Sequence, residues 1–162
     1  MTERKLRIGT RGSLLALAQS GIVRDAIIAS GTPAELVVIV TTGDRIQDRP
    51  LQEVGGKGLF TREIETELLE GRIDMAIHSL KDLPYALPPG LRLTAFPKRE
   101  DARDVLVPRD STIHSLSDLP QGSVVATGSL RRKAQLLRVR PDLKIIGMRG
   151  NVDTRLRKVS EG

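Results

Sequence analysis

The sequence predicts an α/β protein with mixed, largely parallel sheets. Short apolar runs alternate with segments of helical periodicity, which is the pattern of βαβ units. Glycine-containing turns stand at several of the junctions where a predicted strand passes into a predicted helix. A chain of 162 residues with 39% hydrophobic residues is long enough for one medium domain or two small lobes with a packed core.

Seven short apolar segments are predicted strands. They are residues 6–9, 36–41, 75–78, 91–96, 105–107, 124–127 and 144–148. Each lies beside turn-forming residues or a helical segment, as expected for strands joined by helical crossovers.

Four helices are predicted between these strands. Ser13 is placed to cap the first helix, and Gly31 stands where a glycine would end it. The second helix runs over residues 59–70 and stops at Gly71. Two basic helices follow, over residues 129–139 and 151–159.

A charged segment predicts how the chain divides. Residues 97–104 are mostly charged and lack apolar periodicity, so we expect a first α/β lobe over 1–98, a hinge over 99–103 and a partial second α/β lobe over 104–162. The second lobe would have only about three strands and bury little surface, so we expect it to be incomplete and the chain to be truncated within a domain.

The positive charge is confined to the end of the chain. Residues 131–162 hold ten Lys and Arg against three acidic residues, whereas the whole chain has a net charge of +6. A local field of this kind concentrates anionic ligands. The basic segment has no aromatic residue, which disfavours a nucleic-acid partner bound by base stacking.

Composition excludes several other classes of site and location. The absence of cysteine excludes disulfides, thiolate metal sites and a cysteine nucleophile within these residues, and no metal-ligand cluster stands out. No apolar leader or run of membrane-spanning length occurs, so we expect a cytoplasmic protein without a membrane partner.

Four helix starts combine glycine with a hydroxyl, amide or cationic residue. They are residues 10–13, 55–58, 127–129 and 149–151. A helix N-terminus offers unpaired N–H groups to carboxylate or phosphate, and strand ends in open α/β sheets are where ligands bind. For any single turn, simple helix capping is the more common explanation of these residues. The four turns together, rich in arginine, favour a ligand with several carboxylates.

We interpret Arg138, Arg140, Arg157 and Lys158 as a solvated helix face.

A second group of polar residues follows the predicted strand at 75–78. Lys81 and Asp82 stand before Pro84, which is a suitable place for an acid–base residue facing a cleft. The alternative for Lys81 and Asp82 is a weak surface ion pair. His78 is interpreted as a structural residue at the end of the strand.

These motifs resemble those of the porphobilinogen deaminase (hydroxymethylbilane synthase) family. The similarity extends over essentially the whole chain and rests on five stretches in order: LRIGTRGS at 6–13, VGGKGLF at 54–60, HSLKDLP at 78–84, GSLRR at 128–132 and RGNVDTR at 149–155. The resemblance implies a transferase that condenses four porphobilinogen units head to tail with loss of ammonia, in tetrapyrrole and haem biosynthesis. It also implies lobes like those of periplasmic binding proteins.

The resemblance assigns roles to individual residues. Asp82 would be catalytic, stabilising the electron-poor azafulvene formed when ammonia leaves. The carboxylates of the substrate and of the dipyrromethane cofactor would be bound by Arg11, Ser13, Lys57, Lys81, Thr127, Ser129, Arg131, Arg132, Arg149, Gly150 and Arg155. The arginines after residue 130 would form one wall of a cleft, opposite the residues of the first lobe. The partners would be porphobilinogen and the growing pyrrole chain, bound by a monomer.

The sequence departs from the family at three points. Glu53 replaces a usual lysine, and Gly128 replaces a usual serine. The cysteine that attaches dipyrromethane in the family is absent from these residues. We therefore expect the isolated chain to be inactive. The alternatives are a small polycarboxylate-binding or anion-binding module without turnover and, less in keeping with the missing aromatic residues, a nucleic-acid binder.

Overall fold

The computed structural model describes residues 4–45 and 58–162. The chain divides into two compact units, Met1–Ala95 and Phe96–Gly162. Each unit contains its own small parallel sheet. The predicted hinge at 99–103 stays a prediction.

The first unit is built on a three-stranded parallel sheet. Strands β1 (Leu6–Thr10), β2 (Ala34–Val38) and β3 (Met75–Ala76) lie in the order β2-β1-β3. Ile8 of β1 is paired with Leu36 on one side and Met75 on the other. The central position of β1 places the loops that follow β1 and β3 side by side at one edge of the sheet.

Helix α1 (Leu14–Ala29) joins β1 to β2 and begins and ends where the sequence predicts. The Ser13 hydroxyl accepts a hydrogen bond from the Ala16 backbone N–H at 3.3 Å. Gly31, with φ of 93°, takes the left-handed conformation after the helix that glycine adopts without strain.

Among the described residues of this unit, two further helices lie near the sheet. They are the short α2 (Thr42–Arg45) and α3 (Arg62–Leu69). Ile8, Ile64 and Ile73 form the buried apolar core of this unit. A Cβ on Gly9 would lie 2.3 Å from the Ile73 side chain, so glycine allows β1 and the segment before β3 to approach closely.

Hydrogen bonds and an ion pair between Arg7 and Asp74 join β1 to the start of β3. The carboxylate of Asp74 accepts hydrogen bonds from the Arg7 backbone N–H at 2.8 Å and from the Arg7 guanidinium at 3.1 and 3.2 Å. Asp74 also pairs with Arg4. These hydrogen bonds hold the pKa of Asp74 down, at about 2.

The second unit is a two-stranded parallel sheet with two helices. Its elements are β4 (Val124–Ala126), α4 (Leu130–Val139), β5 (Lys144–Ile146) and α5 (Val152–Glu161), and β4 pairs with β5. Within residues 96–162, all of which the structure describes, Leu143 is the only buried hydrophobic residue. This unit therefore has a thin core.

Two predicted strands are wrong. Residues 91–96 and 105–107 form neither helix nor strand. A β-strand forms only when a neighbouring strand pairs with it through backbone hydrogen bonds. Within the described residues these segments have no partner strand. Their apolar side chains, including Phe96 and Val105, are exposed.

The interpretation of Arg140 as a solvated residue is also wrong. Its guanidinium donates to the carbonyls of Leu116 at 2.5 Å and Leu119 at 3.1 Å, and it pairs with Asp142 at 2.8 Å. Arg140 therefore fastens the loop before β4 to the end of α4. Among the described helices, none has the length and apolarity to cross a membrane.

Candidate functional site

The strand order of the first unit places the connections after β1 and β3 next to each other. The connection after β1 runs into α1, whereas the connection after β3 runs into a single 3-10 turn at Leu80–Asp82. In parallel α/β sheets, ligands bind where adjacent strands send their connections in different directions. Residues 11–13 and 78–82 leave neighbouring strands at this point.

Arg11 stands at the end of β1 and is held by an internal carboxylate. Its Nε lies 3.1 Å from Asp44 Oδ1 and its Nη2 also contacts that oxygen. The guanidinium carbon lies 4.2 Å from the centre of the Phe60 ring, within the range of a cation–π interaction. Arg11 and Asp44 side chains are only 17% and 20% exposed, so Arg11 has a fixed orientation.

Hydrogen bonds keep Asp44, the partner of Arg11, in its charged form. The Thr41 hydroxyl donates to Asp44 Oδ2 at 2.7 Å. Burial alone would raise the pKa of Asp44, but the hydrogen bonds from Arg11 and Thr41 outweigh it and hold that pKa below its usual range. Asp44 therefore remains a carboxylate at neutral pH. The sequence analysis missed it because nothing in its local pattern indicates a partner 33 residues away.

The Ser13 hydroxyl caps α1, as described above, which fits the simple capping alternative for this turn. Lys57 and Glu53 lie outside the described residues. The turn at residues 55–58 is described only from Gly58 onward.

Asp82 closes the 3-10 turn and is half-buried, beside the exposed Lys81. Among the described residues no salt bridge joins these two side chains, and the acid–base role and the surface-pair alternative both stay predictions. Burial and the nearby Arg11 charge lower the pKa of His78, while Glu65 and Asp82 oppose this effect. His78 is therefore a neutral imidazole at neutral pH, near the carboxylate of Asp82.

In the second unit, the turn after β4 is built from backbone and hydroxyl groups. The Ser129 N–H donates to Thr127 Oγ1 at 3.2 Å, and Ser129 Oγ accepts from the Arg132 N–H at 3.3 Å. A Cβ on Gly128 would lie 2.9 Å from the carbonyl oxygen of Met148. The close approach of this carbonyl favours glycine at position 128.

Arg131 and Arg132 at the start of α4 share one carboxylate. Arg131 Nη2 lies 3.2 Å from Asp104 Oδ2, and Arg132 Nη2 lies 2.7 Å from Asp104 Oδ1. All three side chains are at least 40% exposed. Asp104 lies in the charged segment 97–104, where nothing in the sequence indicates a partner 27 and 28 residues away.

The turn after β5 contains an unpaired donor. Arg149 Nη1 is buried and has no hydrogen-bond partner among the residues that the structure describes. Asn151 directly precedes the following helix, α5, and its side chain makes no capping hydrogen bond within the described part of the chain. Gly150 has φ of 116°, and its carbonyl accepts from Arg155 Nε at 2.8 Å. Unpaired N–H groups at a helix start, beside a guanidinium, are suited to bind an anion.

The arrangement in each unit is suited to carboxylate binding. The turns after β4 and β5 lie at the same edge of their sheet, because the two strands are parallel neighbours. These turns and the helix starts that follow them contain Thr127, Ser129, Arg131, Arg132, Arg149, Gly150 and Arg155. Among the described residues, no group of acidic or histidine side chains is arranged to hold a metal ion. The prediction that residues of both units line one cleft stays a prediction.

Comparison with known proteins identifies the family. Residues 6–162 match the family model described as porphobilinogen deaminase, dipyromethane cofactor binding domain. The chain is 55% identical over 171 residues to a porphobilinogen deaminase of Caulobacter sp. (strain K31), with 100% of this chain and 53% of that protein covered. It is 56% identical over 164 residues to one of Syntrophobacter fumaroxidans (strain DSM 10017 / MPOB), with 100% of this chain and 52% of that protein covered.

The chain thus spans about half the length of the curated relatives that it matches. The family model covers nearly all of the chain and includes the glycine turns and the Asp82 turn described above. The chain belongs to the porphobilinogen deaminase family.

Proposed function

We propose that this chain carries substrate-binding and cofactor-binding residues of a hydroxymethylbilane synthase, which joins four porphobilinogen units head to tail with loss of ammonia. The observation that carries the proposal is the buried Arg149 Nη1 without an acceptor, next to the uncapped start of α5. A buried charged donor without a partner is costly, and a ligand carboxylate would supply the missing acceptor.

Each porphobilinogen brings an acetate and a propionate side chain, so a growing pyrrole chain is a polyanion. In this proposal Arg131, Arg132, Arg149 and Arg155 bind those carboxylates, with hydroxyl and N–H donors from Thr127, Ser129 and Gly150. Arg11, Ser13, Lys57 and Lys81 act in the same way in the first unit. Arginine suits this role because its planar fork pairs with carboxylates through two hydrogen bonds.

Asp82 is the acid–base residue in this proposal. Loss of ammonia from porphobilinogen leaves an azafulvene with positive charge spread over the pyrrole ring and its nitrogen. A carboxylate near the pyrrole N–H stabilises this charge and assists proton transfer. The 3-10 turn at Leu80–Asp82 holds Asp82 at the sheet edge, near the imidazole of His78.

The donors present fit the carboxylate arms of dipyrromethane, because unpaired arginine and N–H groups lie at one edge of the second sheet. They do not provide its attachment, since the chain contains no cysteine. When bound, dipyrromethane supplies the primer to which porphobilinogen units are added. We infer that the 162-residue chain binds porphobilinogen without steady turnover, as a cytoplasmic monomer with lobes like those of periplasmic binding proteins.

The carboxylate site is tested by titrating porphobilinogen into the chain and into the variant Arg149→Gln. Loss of a charge-assisted hydrogen bond costs about 1.5 to 3 kcal/mol, so we expect affinity to fall about tenfold or more. Arg138→Gln removes the same charge from an exposed position of α4 and serves as the matched control. Equal affinity of Arg149→Gln and the control would contradict the proposal.

The role of Asp82 is tested in a full-length enzyme that contains this sequence. Asp82→Asn keeps the shape of the side chain but removes its charge, so turnover should be lost while the circular dichroism spectrum stays unchanged. Turnover close to that of the unaltered enzyme would remove Asp82 from the mechanism.

A small-anion binding module without turnover is the second candidate. It is favoured by two ion pairs within the chain, Arg11 with Asp44 and Arg131 with Asp104. In each pair a guanidinium that is predicted to bind ligand binds a single carboxylate group. This candidate predicts that sulfate and porphobilinogen bind with similar affinity. Preference for porphobilinogen would exclude it.

A further inference from the structure

We propose that Asp104 is an internal competitor, whose carboxylate occupies Arg131 and Arg132 until a polycarboxylate ligand displaces it. The inference rests on the proposed role of these arginines in binding carboxylates. It adds a residue that sets the affinity of the site without contacting the bound ligand.

The hydrogen bonds show that Asp104 takes the place of an external carboxylate. Its Oδ1 accepts from Arg132 Nε at 3.0 Å and from Arg132 Nη2 at 2.7 Å. Its Oδ2 accepts from Arg131 Nη2 at 3.2 Å. A ligand carboxylate bound by the two guanidiniums would need these same N–H donors, so it cannot bind fully while Asp104 is in place.

Exposure makes this pairing exchangeable. Asp104 is 40% exposed, and its partners Arg131 and Arg132 are 60% and 45% exposed. Exposed ion pairs contribute little net stability, so a ligand with several carboxylates can outcompete one aspartate. The Arg11–Asp44 pair differs, since it is mostly buried and Thr41 also binds Asp44.

The backbone at Asp104 leaves room for the displacement. Residues 91–108 contain neither helix nor strand, so moving Asp104 breaks no regular secondary structure. Meanwhile Arg131 Nη1 donates to Gln135 Oε1 at 2.8 Å, which anchors the arginine on its own helix when Asp104 leaves. Arg131 therefore keeps an anchor on its own helix while its counter-ion changes.

The competitor is charged over the whole neutral range. The hydrogen bond from Arg132 holds the pKa of Asp104 below its ordinary value, with a smaller contribution from Arg131. Asp104 therefore competes as a carboxylate at every pH above that ordinary value.

The test is calorimetric titration of citrate, a tricarboxylate, into the full 162-residue chain and its variants. Asp104→Asn removes the competing charge, and we expect citrate to bind about three- to tenfold more tightly. Asp104→Glu retains a carboxylate and should bind citrate as the unaltered chain does. Asp101→Asn is the matched control, because Asp101 is an exposed aspartate of the same segment that pairs only with Arg103 among the described residues.

The outcomes separate this inference from the proposed function. Tighter binding in Asp104→Asn alone supports the inference. Equal citrate affinity in Asp104→Asn and Asp101→Asn overturns it, provided that Arg132→Gln weakens binding. If Arg132→Gln leaves citrate affinity unchanged, the carboxylate site itself is wrong and the inference fails with it. Circular dichroism of each variant checks the fold.

Discussion

Replacing Asp74 by asparagine should destabilise the first unit and remove part of its pH dependence. Asp74 joins β1 to β3 through Arg7, and these two strands carry Arg11 and the Asp82 turn to the same sheet edge. Asparagine has nearly the same shape but cannot match the charge of the two arginines that face the carboxylate, Arg4 and Arg7.

The size of the expected loss in unfolding free energy follows from the pKa of Asp74. This pKa is about 2 in the folded chain, against an ordinary value of 3.8. At 1.36 kcal/mol per unit, this difference corresponds to about 2 kcal/mol of folding free energy. The Asp74 side chain is 22% exposed, so we expect about 1 to 2 kcal/mol in practice.

The sign of the pH dependence is fixed by the direction of the shift. Because the folded pKa is lowered, the stabilisation is complete above the unfolded value near 4 and is lost as pH falls toward 2. The unaltered chain should therefore exceed Asp74→Asn in stability at neutral pH, and the difference should shrink below about pH 4.

Urea unfolding followed by the NMR methyl signals of Ile8 and Ile73 measures this unit separately from the second. Asp25→Asn is the control, since Asp25 is 65% exposed and pairs with the adjacent Arg24. We expect the control to change stability by less than about 0.5 kcal/mol. The expectation is wrong if Asp74→Asn loses no more unfolding free energy than the control. It is also wrong if the loss at about pH 2.5 is as large as the loss at neutral pH.

Three further predictions concern packing and loop anchoring. Gly128→Ser places a Cβ 2.9 Å from a backbone carbonyl, and we expect the second unit to lose about 1 to 3 kcal/mol in urea unfolding. Arg140→Gln breaks the bonds to the loop before β4 and should cost about 2 kcal/mol in the same assay, whereas Arg138→Gln should be nearly neutral. Gly43→Ala puts a methyl group 2.2 Å from the Phe60 ring, so NMR shifts of the Phe60 ring protons should change and the first unit should be less stable. Unchanged ring shifts would contradict the packing of Phe60 on Gly43.

Local signals in the sequence predicted the local structure well. The cap at Ser13, the left-handed glycine at Gly31 and the helix starting at Ser129 depend on residues only a few positions apart. Parallel pairing of β1 with β2 followed from the helix between them. The segments 91–96 and 105–107 were wrongly predicted as strands because apolar composition does not show whether a partner strand is available.

Long-range electrostatic pairs could not be read from the sequence. Asp44 meets Arg11 only because the segment after β2 passes the end of β1, and Asp104 meets Arg132 across 28 residues. Arg140 belongs to a basic helix whose other arginines are exposed, so its contact with the Leu116 carbonyl has no sequence signal. Asp44, Asp104 and Arg140 are common surface residue types, and only the folded structure shows which distant group each of them binds.

The central claim is that the arginine turns recognise porphobilinogen, and competition calorimetry tests it most directly. Porphobilinogen is titrated into the 162-residue chain in buffer with and without a large excess of sulfate. We expect saturable binding that sulfate weakens only slightly, because several carboxylate contacts act together. Binding that sulfate abolishes, or no binding of porphobilinogen, would contradict it.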